Sequence, residues 1–180
     1  MAINRKISPV GIDIVIDILQ EALFNGLTSV GWTDYESYPR AYKNQTKDGF
    51  IPEFYTGNEE YEEVYFDDGF NVTSFWLVED TVGQQNDPNF SATIKVIFQA
   101  KLNELYPSIP HRADEEMHRD IALILDKSYI TINGNTKITT GIEKIYENEG
   151  LKSTTGFEDM SNFHVVKFDV EVNYEYDSCN

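Results

Sequence analysis

The order of apolar and polar residues predicts a helix near the start of the chain. Ser8 and Pro9 are typical of a helix start, because a serine oxygen can cap free amide groups and proline has a helical φ angle. We expect this helix to run to about residue 24 and to end at Gly26. Its polar face carries Asp13, Asp17 and Glu21, and its apolar face carries Val15, Ile18, Leu19, Ala22 and Leu23. The β-branched residues leave a strand over residues 12–18 as the alternative.

Aromatic and β-branched runs predict strands in the middle of the chain. One or two short strands fit residues 32–55. Residues 61–66 and 71–79 are two further runs, and the composition of Asp67-Asp68-Gly69 predicts a hairpin turn between them. An exposed loop is expected over residues 81–89.

Alternation with a period of two supports the strand over residues 71–79 and predicts two further strands. In residues 71–79, Phe75 and Leu77 face one side and Trp76 and Val78 the other, so both faces are expected to be covered. A second strand is predicted over residues 92–102, where Ala92, Ile94, Val96, Phe98, Ala100 and Leu102 alternate with Thr93, Lys95, Gln99 and Lys101. Residues 164–174 also alternate with a period of two and predict a closing strand. Its solvent-exposed outer face is formed by Val165, Lys167, Asp169, Glu171 and Asn173.

A second helix and a small hairpin are expected between the two alternating strands. Asp114 can cap a helix of about 13 residues that ends near Lys127. Its apolar stripe consists of Met117, Ile121, Ile124 and Leu125. Residues 129–132 and 136–139, joined by Asn133-Gly134, predict the hairpin. The element order therefore predicts one α+β domain over residues 1–180, with a mostly antiparallel sheet and two main helices packed on one face.

The charge of the chain narrows the choice of partners. The 180 residues contain 31 Asp and Glu against 14 Lys and Arg, a formal net charge of −17. A protein that neutralises the phosphates of duplex DNA is nearly excluded by this balance. The single cysteine, Cys179, has no partner for a disulfide, which favours a reducing compartment. No segment predicts a signal peptide or a membrane span.

The negative charge is concentrated in one aromatic-rich stretch at about residues 48–90, which resembles an insertion. No Lys or Arg lies between Lys47 and Lys95, whereas the segment holds 11 acidic residues. They are Asp48, Glu53, Glu59, Glu60, Glu62, Glu63, Asp67, Asp68, Glu79, Asp80 and Asp87. Phenylalanine, tyrosine and tryptophan residues are interleaved with them, a composition that suits a protein interface, although these rings also suit a core.

Candidate catalytic chemistry is sparse. His111, Glu115 and His118 have a metal-ligand spacing on a continuous helix, and they define a metal-dependent enzyme as an alternative function. Pro110 indicates that His111 precedes the helix. The alternative to a metal site is an Asp114–His118 pair on an exposed helix face. Paired carboxylates such as Glu59-Glu60 and Glu62-Glu63 have no specific spacing, and no phosphate-binding or nucleophile motif is present.

The order of elements resembles tail-terminator and tail-completion proteins of tailed bacteriophages. The resemblance rests on the helix that follows Ile-Ser-Pro-Val, the strand Ala-Thr-Ile-Lys-Val-Ile-Phe-Gln-Ala-Lys-Leu, the helix of residues 114–127, residues 140–146 and the strand His-Val-Val-Lys-Phe-Asp-Val-Glu-Val-Asn-Tyr. The acidic, aromatic and Asn-rich composition is similar to that of neck ring proteins of crAss-like phages.

This resemblance implies a virion structural protein rather than an enzyme, with no catalytic, cofactor or metal residues. It would form a closed ring of six or twelve copies in the neck, as part of the head–tail connector, after synthesis in the host cytoplasm. The implied partners are neighbouring portal, adaptor or tail proteins, with no membrane. DNA would pass through the ring without specific binding, and an acidic lumen would repel its phosphates. An acidic module that binds a basic partner is the remaining alternative.

Overall fold

A computed structural model describes residues 1–47, 49–64, 69–83, 89–128, 136–152 and 163–175. It confirms the α+β class, with four helices and eight strands among these residues. The helices are α1 (Ile12–Ser29), α2 (Leu102–Leu105), α3 (Asp114–Lys127) and α4 (Ile142–Glu149). The strands are β1 (Ala2–Ile3), β2 (Tyr35–Thr46), β3 (Gly49–Gly57), β4 (Glu60–Glu63), β5 (Val72–Gly83), β6 (Asn89–Ala100), β7 (Lys137–Thr140) and β8 (His164–Glu175). No helix in these ranges is long and apolar enough to cross a bilayer.

The strands form one mostly antiparallel sheet in the order β4-β3-β2-β5-β6-β8-β7, with β1 added to β2. Only the β1–β2 and β2–β5 pairs are parallel among the described strands. The hairpin expected between residues 61–66 and 71–79 is wrong, because β3 and β2 separate β4 from β5. β4 instead pairs back on β3 through a turn at Asn58 and Glu59, both of which have positive φ angles. Asp67 and Asp68 lie outside the described residues.

Two buried clusters cover the two faces of the sheet. The larger one joins α1 and α3 to alternate residues of β6 and β8, including Phe98 and Phe168. The smaller one joins Ile145 and Tyr146 of α4 to the opposite face. β5 contributes to both clusters, Trp76 to the first and Phe75 to the second, so its expected burial on both faces is confirmed.

Helix α1 differs from its prediction at both ends and in its buried face. It begins at Ile12 after Gly11, because Ser8 has a φ angle of +50° and lies outside the helix. It also continues through Gly26 to Ser29. Asp13 is buried, whereas Ile18 is exposed. The helix is therefore rotated relative to the orientation that its apolar pattern predicts.

The second predicted helix and the closing strand are confirmed, with one difference at the outer face of the strand. α3 starts at Asp114 and buries Met117, Ile121 and Leu125. In β8, Val165 and Lys167 are buried rather than exposed to solvent, because α4 packs over this part of the sheet. Glu171 and Asn173, farther along the strand, are exposed as expected.

Smaller elements follow the sequence less closely. The loop expected over residues 81–89 is shorter, because residues 81–83 end β5 and Asn89 starts β6. Residues 129–135 of the expected small hairpin lie outside the described residues, and β7 pairs with β8. α4 was not expected as a helix. Gly150, which follows it in the left-handed conformation, is the signal that marks its end.

Candidate functional site

A buried histidine pair joins the start of α3 to the start of β8. His118 Nε2 lies 2.9 Å from His164 Nε2. Arg112 Nη2 lies 3.1 Å from His164 Nδ1. Since a guanidinium can only donate, His164 Nδ1 is the acceptor, and its neutral ring carries the proton on Nε2. His118 Nε2 then accepts the hydrogen bond that His164 Nε2 donates.

The environment of His164 keeps it neutral. Burial, followed by electrostatic interactions with His118 and Arg112, lowers the pKa of His164 to about 4. His164 lines a cleft of about 380 Å³, together with His111, Arg112 and Phe163. All three histidines of the chain therefore lie around the start of α3.

The predicted metal ligands do not meet at this point. His111 precedes α3, and its Nε2 bonds Glu116 Oε1 at 3.0 Å. His118 Nδ1 lies 3.8 Å from Glu115 Oε1. Within the described ranges, no group of three His, Cys, Asp or Glu residues is placed to hold a metal ion. Cys179 lies outside those ranges.

The expected Asp114–His118 pair is also wrong. Asp114 Oδ2 instead accepts a hydrogen bond from Arg112 Nε at 3.2 Å. The reason is that Arg112 precedes the helix and turns back toward its first residue, whereas His118 is buried against His164.

A second polar cluster surrounds the carboxylate of Glu149 at the end of α4. Lys167 Nζ lies 2.6 Å from Glu149 Oε1, and Lys95 Nζ lies 2.9 and 3.0 Å from its two oxygens. Lys43 Nζ approaches Oε2 at 3.3 Å. Burial raises the pKa of the Glu149 carboxyl, but the hydrogen bonds from Lys167 and Lys95 outweigh it and lower the pKa to about 2. No sequence motif marks this cluster, because its residues come from four separate elements.

The acidic stretch forms part of an exposed hairpin. Glu59, Glu60 and Glu62 are exposed at the β3–β4 turn and along β4. Glu53 accepts a hydrogen bond from Asn44, and Glu79 lies 3.4 Å from Lys95 Nζ. Asp48, Asp67, Asp68 and Asp87, and the side chain of Asp80, lie outside the description.

The aromatic residues of the same stretch divide between core and surface. Phe54, Phe75 and Trp76 are buried, which agrees with the core interpretation. Phe50 and Tyr61 are exposed at the outer strands. Tyr61 also packs edge-to-face against Tyr42 of β2, with ring centroids 6.0 Å apart.

Helix α1 presents an unusual outer side. Ile14 is 42% exposed and Ile18 is 48% exposed, although both are large apolar residues. Ile7 and Val10, just before the helix, are more exposed still. In the second half of the helix, Glu21 and Asn25 occupy the same outer side and are polar. The first half of α1 and the segment before it therefore form an exposed apolar stripe of Ile7, Val10, Ile14 and Ile18.

Searches against protein-family models and against curated proteins find no match to this chain.

Proposed function

We propose that the protein is a structural subunit of a tailed-phage neck, which assembles into a closed homo-oligomeric ring between portal and tail. The observation that carries this proposal is the exposed apolar stripe of Ile7, Val10, Ile14 and Ile18, which covers the first half of α1 and the segment before it. Apolar residues that recur every four positions on a helix are those that a partner covers. A neighbouring copy is the partner that a ring supplies.

The stripe has the size that suits a contact within a larger interface. Full burial of one isoleucine contributes about 1.5–3 kcal/mol, so covering the half-exposed Ile14 and Ile18 contributes about 1 kcal/mol each. Such a contact would not hold two copies together by itself. A closed ring repeats it at every interface, and neighbouring neck proteins can add to it.

The charge distribution suits the passage of DNA. The exposed carboxylates of Glu59, Glu60 and Glu62 lie on one hairpin, in a segment that contains no Lys or Arg. A lumen lined by such hairpins repels phosphates and leaves DNA free to move. The fold class agrees with the phage resemblance, and no catalytic group is required for this role.

Mass photometry and negative-stain microscopy test the proposal. We expect a discrete ring for the purified chain, or for the chain mixed with the portal, adaptor and tail proteins encoded beside it. A chain that stays monomeric and binds none of these proteins would contradict the proposal.

The role of the stripe is tested separately by Ile18→Lys. This change is expected to reduce assembly strongly, because it places a charge in an apolar contact. Asn25→Lys, on the polar half of the same helix side, is the matched control and should leave assembly unchanged. Undiminished assembly of Ile18→Lys would assign the interface to another surface, and equal losses in both variants would show that the apolar stripe is not specifically responsible.

A further inference from the structure

Residues 1–6 form an arm that folds back along α1. Within the arm, β1 lies parallel to β2 and pairs with it over two residues. Arg5 forms ion pairs with Asp17 of α1 at 2.9 Å and with Glu21 at 2.8 Å. The arm is therefore held by α1 and by β2.

A short hinge of residues 7–11 reverses the chain between the arm and α1. Ser8 in this hinge has a φ angle of +50°, which is unfavourable for a residue with a side chain. Gly11 has a φ angle of +56°, which glycine adopts readily. Short hinges under strain favour exchange of the element that they carry between copies of a chain. An extended hinge would release Ser8 from the left-handed conformation.

The hinge also carries the two most exposed large apolar side chains of the described residues. Ile7 is 65% exposed and Val10 is 66% exposed. Folding back therefore leaves both side chains in water, where they contribute no hydrophobic stabilisation. A hinge that runs from one copy to the next passes through the contact between them, and there both side chains can be covered.

The contacts of the arm identify the occupant that its site accepts. Gln20 Nε2 donates a hydrogen bond to the Asn4 carbonyl oxygen at 2.9 Å, in addition to the ion pairs of Arg5 and the pairing of β1. The arm of a second copy has the same sequence and would form each of these contacts again. Exchange of an identical element therefore changes only the hinge, which is why it costs little.

The length of the hinge limits where the second copy can lie. The chain from Lys6 to Ile12 spans at most about 20 Å when it is extended. Only a copy that packs against the start of α1 offers its arm site within this distance. The apolar stripe places the neighbouring copy of the proposed ring at that end of the helix.

We propose that each copy in the ring donates its arm to the next copy, where the arm occupies the site between α1 and β2. The inference rests on the proposed ring and names the contact that joins its subunits. Each copy gives its arm to one neighbour and receives an arm from the other, as a closed head-to-tail ring requires.

Disulfide cross-linking between two co-expressed variants tests the exchange. Ala2 and Glu36 lie opposite each other in the β1–β2 pair, at a strand spacing of about 4.8 Å that a disulfide can bridge. One variant carries Ala2→Cys and the other carries Glu36→Cys, both with Cys179→Ser. Each chain then holds one cysteine, so only an arm on another copy can form the link. We expect a disulfide-linked dimer of the two variants on non-reducing gels of the isolated ring.

Two further cysteine samples define what a link means. Glu147→Cys, at an exposed position of α4, replaces Glu36→Cys as the matched control and should give no link with Ala2→Cys. A chain that carries both Ala2→Cys and Glu36→Cys should give a ladder of linked multimers in an exchanged ring. With a folded-back arm the same chain would link only within itself.

A variant of the hinge tests the role of strain. Ser8→Gly lets the folded-back hinge form without penalty, so the fraction of linked dimer should fall about fivefold. Asn58→Gly relaxes a φ angle of +52° in the β3–β4 turn and is the matched control. It should leave the linked fraction unchanged.

The outcomes separate the exchange from the ring itself. A ring whose double-cysteine chain links only within itself, with no dimer of the mixed variants, overturns the exchange and leaves the ring proposal intact. A ring without any link would mean that β1 does not pair with β2, which also overturns the exchange. A chain that forms no ring, alone or with the neck proteins encoded beside it, contradicts the ring proposal and the exchange together.

Discussion

Gly26 of α1 and Ile124 of α3 leave no room for a methyl group between the two helices. A Cβ atom at residue 26 would lie 2.7 Å from Ile124 Cδ1 and 2.9 Å from Cγ1. The glycine therefore lies inside α1 because it permits close packing of the helices, and not because it ends the helix.

Gly26→Ala tests this packing. Alanine favours a helix by about 1 kcal/mol over glycine, but overpacking costs about 1–3 kcal/mol. We expect a net loss of about 1 kcal/mol in the free energy of unfolding, measured by urea denaturation. In an Ile124→Ala background the same change should become stabilising, because the clash is gone. A stabilising effect of Gly26→Ala in the wild-type background would contradict the close contact.

Glu149→Gln tests the ion cluster under α4. The variant leaves Lys95 and Lys167 buried without their counter-charge, so we expect a loss of about 3 kcal/mol at pH 7. Glu147→Gln, on the exposed side of the same helix, is the control and should change stability by less than about 0.5 kcal/mol. Similar effects of the two changes would argue against the cluster.

The contribution of Glu149 also depends on pH. Its pKa falls from an ordinary value of 4.5 to about 2 in the folded protein, so the unfolded chain takes up a proton first as the pH decreases. The stabilisation is complete above about pH 4.5 and is lost as the pH falls toward 2. The difference in stability between wild type and Glu149→Gln should narrow over this interval. A constant difference would mean that Glu149 does not titrate in this way.

His164 gives a second pH-dependent step at higher pH. Its pKa is about 4 in the folded protein against an ordinary value of 6.5, mainly because of burial. The unfolded chain is therefore protonated first, and stability is expected to fall as the pH decreases from about 6.5 to about 4. Arg112→Gln removes a nearby positive charge and should raise the pKa of His164 in an NMR titration. An unchanged titration would contradict the contact between Arg112 and His164 Nδ1.

The parts of the fold that the sequence predicts are those with a strict local pattern. α3, β6 and β8 follow periodicities of 3.6 and two residues, and the structure places them close to the expected bounds. The pairing of β4 could not be predicted in the same way. A turn composition at Asp67-Asp68-Gly69 cannot tell whether the flanking strands are neighbours, and the β3–β4 hairpin uses Asn58 and Glu59 instead.

Buried polar groups explain the other differences. Asp13 accepts a hydrogen bond from Lys6, which lies in the segment before the helix, and this pair allows Asp13 to face the interior. Ile18 then lies on the exposed side of the helix. Lys95 and Lys167 have the polar character of an outer strand face, but Glu149 of α4 satisfies them. These pairings join residues far apart in the chain, so no local pattern indicates them.

Tyr106→Phe tests a partly buried hydrogen-bond chain between the end of α2 and α3. Trp32 Nε1 donates to the Tyr106 oxygen at 3.1 Å, and that hydroxyl donates to Asp120 Oδ2 at 2.8 Å. Burial and the Asp120 carboxylate raise the pKa of Tyr106, which keeps the hydroxyl protonated. The variant leaves the indole N–H without its acceptor, so we expect a loss of about 1–3 kcal/mol in the free energy of unfolding.

Tyr61→Phe, at an exposed position of β4, is the matched control for this loss. It removes the same oxygen atom at a side chain that is 47% exposed, so its effect should stay below about 0.5 kcal/mol. Urea denaturation of both variants at pH 7 measures the difference. If Tyr106→Phe proves as mild as Tyr61→Phe, the indole has another acceptor, and the Trp32–Tyr106–Asp120 chain does not hold α2 and α3 together.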